Sequence, residues 1–238
     1  MKMAKRSKFG FLSSNVLKVI AVIAMVIDHT AVVFSLEPLS LFRGIGRLAF
    51  PIFAFLIAQG AVRSKNKLKY ILRLTVFAFI SEIPFDLAFG ASWLDMKNQN
   101  VFFTLVMGLL SCITYDFLSK KNLGILALAS TFVFGLGAFF LRSDYGFMGV
   151  VVITLMAVFS AAAPSVKFIG LTLSAFMTSI VYMPPFGFGF LQAQLPAVLS
   201  AVPLSLYNGK RGKRVNKYIF YAFYPAHILV LYLIKQVL

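Results

Sequence analysis

The chain has 238 residues, of which 60% are hydrophobic and only 13% charged, with a mean hydropathy of +0.89 and a formal net charge of +16. A water-soluble domain of that length needs far more polar surface, so the composition excludes one and points to lipid as the solvent. In lipid every backbone N–H and C=O needs an internal partner; the long apolar runs, lacking period-two alternation, exclude an outer-membrane barrel and leave helices.

The first apolar run spans 14–34, about 21 residues or roughly 31 Å of helix, enough to cross a bilayer and too long for a signal-peptide core. Further runs follow at 43–62, 68–89, 100–118, 122–141, 146–163, 166–182, 190–206 and 218–236. The reading is all-α: a polytopic transmembrane bundle of about nine spans forming a single domain over 1–238.

The basic residues orient it. Lys2, Lys5, Arg6 and Lys8, then Arg63, Lys65, Lys67 and Lys69, Lys120 and Lys121, Lys167, and Lys210, Arg211, Lys213, Arg214 and Lys217 fall on one side of alternating spans. The other side holds Lys97, Arg142, Lys235 and the helix-start pair Arg43 and Arg47. The positive-inside bias then predicts a multi-pass protein of the bacterial cytoplasmic membrane, N-terminus cytoplasmic and C-terminus outside. Because the charge is segregated into loops, it implies anionic membrane lipids as partners and no nucleic acid.

Ionisable groups inside spans are expensive, so each is a candidate for function. The first span carries Asp28-His29, whose side chains point about 100° apart and therefore face different neighbours. Arg43 and Arg47 share one helix face, as do Glu82 and Asp86. Asp28 is expected either to pair with one of these arginines or to serve the reaction, and the two four-apart pairs are expected to satisfy each other across adjacent helices. Asn100, Thr104, Asp144 and Tyr145 map to the same outer half. On the other side, Tyr207-Asn208-Gly209-Lys210-Arg211-Gly212-Lys213-Arg214 is a glycine-containing basic loop suited to phosphates. In the last span, Tyr221, Tyr224-Pro225 and His227 form a polar seam. The single cysteine, Cys112, rules out a disulfide, and two histidines without a third ligand point to no metal.

These marks fall in an order that resembles the TraX family, whose namesake acetylates the N-terminus of F-pilin. They are Asp28-His29, Arg47-Leu48-Ala49-Phe50-Pro51, Gln59-Gly60, Ser81-Glu82-Ile83-Pro84-Phe85-Asp86, Asn100-Val101-Phe102-Phe103-Thr104, Asp144-Tyr145-Gly146, the Tyr207–Gly212 loop, and Phe220–His227. The resemblance covers almost the whole chain. It implies an integral membrane acetyltransferase with acetyl-CoA as donor and a peptide or small molecule as acceptor.

Transfer to an amine or hydroxyl needs a base for the acceptor proton and donors for the thioester oxyanion. The expectation is that His29 is the base, or transiently carries the acetyl group, with Asp28 positioning. Asn100 or Arg47 would stabilise the oxyanion. Tyr207, Asn208, Lys210, Arg211, Lys213 and Arg214 would hold the CoA phosphates, with the pantetheine arm passing Tyr224 and His227. Arg43, Glu82, Asp86, Thr104, Asp144 and Tyr145 complete the polar network. The rival expectation is a transporter or flippase using the same buried groups as a proton relay.

Overall fold

A computed structural model describes residues 10–36, 39–90, 92–160, 162–181, 195–213 and 215–238. The elements are α1 (Ser14–Phe34), α2 (Leu39–Gly46), α3 (Ala49–Arg63), α4 (Lys67–Phe89), α5 (Val101–Lys120), α6 (Gly124–Phe140), α7 (Gly146–Ser160) and α8 (Pro164–Val181). A 3-10 helix (Leu195–Ser200) leads into the short α9 (Ala201–Ser205), and α10 (Lys217–Val237) closes the chain. The described residues contain no named strand. Asparagine opens three of the long helices: Asn66, Asn100 and Asn216 each accept a backbone N–H of the first turn, a side-chain cap that no apolar residue supplies.

Helices with segments long and apolar enough to cross a membrane number four among the described residues: Ser14–Phe34, Leu41–Arg63, Val101–Lys120 and Lys217–Val237. The second predicted run is broken into α2 and α3 at Arg47–Leu48. Gly46 lies against Asp28 there, so close that a Cβ would collide with the carboxylate. Pro51 sits in the first turn of α3, where its missing N–H leaves no bond unmade. The eighth predicted run, 190–206, falls partly outside the described residues; its described part is the 3-10 turn and α9.

α3 is apolar on all sides and accordingly the most enclosed helix, packing on α1, α5, α7 and α8. α3 is also one member of a closed ring: α1 packs on α3, α3 on α5, α5 on α4, α4 on α10, and α10 returns to α1. α6, α7 and α8 stack outside α3 and α5, and α6 and α7 are joined to α5 by a hydroxyl seam in which Ser111 Oγ lies 3.1 Å from Thr131 and 2.8 Å from Thr154. Large apolar side chains such as Phe79, Ile80, Ile125, Phe132 and Leu233 stand exposed on the outer surface, as a lipid-facing wall requires.

Candidate active site

The helix ring encloses a cavity of about 1300 Å³ that is lined along α1 from Ser14 and Lys18 to His29 and Val32. By helical rise Lys18 and His29 are about 16 Å apart, roughly half a bilayer core. α3 runs the other way. Arg63 near its end meets the Tyr207 hydroxyl, which is also 2.9 Å from Ser14, whereas Arg47 just before its start meets Asp28.

At the Asp28 end, the carboxylate makes the pairing with the arginines that the sequence offered as one alternative. Arg47 Nη2 lies 3.0 Å from Asp28 Oδ2 and 3.3 Å from Oδ1, and Arg43 Nε lies 3.6 Å from Oδ1. Asp28 thus gathers both arginines. Glu82 accepts from the Asn100 side chain, and Asp86 Oδ2 accepts the Asp95 N–H at 2.8 Å. Asp28 is within reach because α2 and α3 fold back onto α1 at the Gly46 contact, while α4 stands across the cavity.

Asn100 therefore gives up its expected oxyanion role. It is fully buried, its amide donates to the Ala78 carbonyl at 2.8 Å and to Glu82, and its Oδ1 accepts the Phe102 N–H. Its Oδ1 caps α5, and its amide N–H groups are taken up by α4. Thr104 is committed likewise, donating to the Asp144 carbonyl, with Ser143 Oγ 2.8 Å away. Those contacts hold Asp144 and Tyr145 in the cavity wall, where the Tyr145 ring stacks on Phe50 at 3.6 Å.

The two histidines, 198 residues apart, meet: His29 Nδ1 lies 2.8 Å from His227 Nε2. His227 Nδ1 lies 2.8 Å from the Phe223 carbonyl. A carbonyl only accepts, so His227 carries its proton on Nδ1 and its Nε2 lone pair faces His29. His29 in turn donates from Nδ1, which leaves the lone pair on its Nε2. Phe89 and Tyr224 stand edge-on to the His29 ring at 5.2 and 6.1 Å and restrict its rotation. His29 lines the cavity, whereas His227, expected beside the pantetheine arm, is not among its lining residues and stands behind His29.

The other end of the cavity is basic. Lys18, Arg63, Arg73, Arg211 and Lys217 line it, drawn from α1, α3, α4, the 206–216 loop and α10. Among the described residues no carboxylate lines this end; the neighbours are aromatic. Arg73 sits over the rings of Tyr70 and Tyr221 at 5.2 and 5.1 Å, Arg63 over Tyr207 at 5.4 Å, and Lys18 over Phe220 at 4.8 Å. Among the described residues, Nε of both Arg63 and Arg73 is buried without a hydrogen-bond partner. Cations gathered from several helices, with π-faces and unpartnered donors, are the groups that could hold a polyanion.

This cluster is distinct from most of the loop expected to hold phosphates. Tyr207 is wholly buried and serves as the acceptor for Arg63. Asn208 binds the Phe11 carbonyl at 3.1 Å and caps the Lys210 N–H at 2.8 Å. The loop carbonyls of Lys210, Arg211 and Lys213 accept from Ser14, Asn15 and the Asn15 side chain. The loop is a backbone staple over the start of α1. Lys210 and Lys213 are exposed and do not line the cavity; Arg211 and Tyr224 do. Arg214 lies outside the described residues. Lys18 and Arg73 were missed by sequence reasoning: a single cation near the end of an apolar run reads as a snorkelling side chain.

A family model described as TraX protein matches residues 13–235. The chain is 30% identical over 234 residues to a protein of Dichelobacter nodosus named "Probable fimbrial assembly protein FimC, serogroup H1", covering 90% of this chain and 92% of that one. No solved structure matches.

Proposed function

This chain belongs to the TraX family, and we propose that it is an acetyl-CoA-dependent membrane acetyltransferase. The observation that carries the reading is the cavity itself, which joins a cluster of cations to a cavity-facing histidine held by a second histidine. The basic end takes the CoA phosphates. An extended pantetheine arm has the reach of about four peptide residues, roughly 14 Å, close to the rise from Lys18 to His29.

His29 Nε2 accepts the proton of the attacking amine or hydroxyl as its N or O bonds to the thioester carbonyl carbon. Arg47 and Arg43 supply positive potential to the oxyanion; Asp28 fixes them and keeps them from attracting other anions. Collapse breaks the C–S bond, and the departing thiolate takes the proton back from His29. The products are the acetylated acceptor and CoA. The chain crosses the cytoplasmic membrane about nine times with its N-terminus inside, so the donor enters from the cytosol and the acceptor reaches His29 from the membrane or the outer side. The relative's name makes a fimbrial subunit the first acceptor to try.

The test is transfer of labelled acetyl from acetyl-CoA to an amino-terminal fimbrial peptide by the purified protein in nanodiscs. Transfer that is lost in His29→Ala supports the reading. Full transfer by His29→Ala overturns the assigned base, and solute counterflow in liposomes without CoA binding would favour the transporter alternative.

A further inference from the structure

Gln59 belongs to α3 and lines the cavity one helical turn inward from Arg63. It is 3% exposed, and among the described residues neither its Oε1 nor its Nε2 has a hydrogen-bond partner. A buried primary amide with both its donor and its acceptor unmet destabilises the free protein, and a leucine of similar size there would not. A residue of that kind in a cavity wall is matched to a ligand group that offers an acceptor and a donor together. A secondary amide does so; a phosphate or a hydrocarbon chain does not.

We propose that Gln59 is the binding site for the inner amide of the donor's pantetheine arm, an inference that rests on acetyl-CoA being the donor. The spacing favours the donor over a peptide acceptor. Gln59 lies about 6 Å along α3 from Arg63 by helical rise. The inner amide of pantetheine follows the pyrophosphate by between one and two residue lengths, roughly 5 Å. With the phosphates on Arg63 and its neighbours, that amide falls at the level of Gln59 and the thioester continues toward His29. Beside it, Gly60 lies against Tyr70, where a Cβ would come within 2.7 Å of the ring hydroxyl, so the Tyr70 ring reaches from α4 to α3 at this level.

The experiment uses the full chain in nanodiscs and compares wild type with Gln59→Leu on two donors. One is acetyl-CoA; the other is S-acetyl-N-acetylcysteamine, which keeps the thioester and outer amide and lacks the inner amide and the phosphates. The expected result is an increase of about ten- to a hundredfold in KM for acetyl-CoA, the worth of two hydrogen bonds, with kcat/KM for the truncated donor within about twofold of wild type. The melting temperature of ligand-free Gln59→Leu is expected to rise, and its shift on adding CoA to shrink. An unchanged KM for acetyl-CoA overturns the assignment. Equal losses on both donors overturn it too, by showing a structural role, and a raised KM for the peptide acceptor alone moves the amide to the acceptor. Wild type that neither binds CoA nor uses either donor overturns the acetyltransferase reading together with this inference.

Discussion

Replacing Asp28 by alanine removes the carboxylate 3.0 Å from Arg47, whose side chain is only 6% exposed. Breaking a buried pair from one side costs about 3–5 kcal/mol, because the remaining charge stays desolvated. Arg43 contributes little to that sum, since its side chain is 32% exposed and its nitrogen is 3.6 Å away. For a chain of this length each kcal/mol moves the melting temperature by about 2–4 °C, so Asp28→Ala should melt about 6–20 °C below wild type. The assay is built in: Cys112 is the one cysteine and is wholly buried, so a thiol-reactive fluorophore reports unfolding without labelling mutations. The companion variant Asp28→Leu with Arg47→Met removes both charges and should recover most of the loss. An Asp28→Ala shift under about 2 °C would falsify the buried-pair account, as would a double variant no better than the single one.

His227→Ala removes the acceptor that sets the His29 tautomer, and acetyl transfer should fall about 10²-fold with KM for acetyl-CoA little changed; His227→Gln, whose carbonyl can accept from Nδ1, should restore part of it. Arg73→Ala and Lys18→Ala should each raise KM for acetyl-CoA by about tenfold, measured by titration calorimetry with CoA and by initial rates. The double variant Lys210→Ala with Lys213→Ala should leave that KM within about twofold, because both side chains are exposed away from the cavity. Tyr207→Phe removes the hydroxyl shared by Arg63 and Ser14 and should cost about 1–2 kcal/mol in the same thiol-unmasking melt.

Hydropathy and its breaks were enough to place most helices. The predicted runs at 14–34, 68–89, 100–118, 122–141, 146–163, 166–182 and 218–236 match α1, α4, α5, α6, α7, α8 and α10 within three residues at each end. A helix in lipid needs only a long apolar stretch with polar punctuation, and both are local properties of the chain. The run at 43–62 shows the limit: its division at Arg47 depends on Gly46 meeting Asp28, which lies on another helix.

The sequence by itself determined the solvent, the helical class, the family marks, and which residues carry charge where charge is expensive. It narrowed Asp28, Arg43, Arg47, Glu82 and Asp86 to one network without choosing the pairs. Tertiary structure made that choice, because pairing across helices follows from the register and packing of α1, α3 and α4, and those are set by contacts far apart in the chain. The same packing brought His29 to His227 and gathered Lys18, Arg63 and Arg73 from separate helices around one cavity end. It also left Gln59 buried without a partner. Each of these residues looks ordinary within its own helix; its chemistry comes from the side chains that the neighbouring helices place beside it.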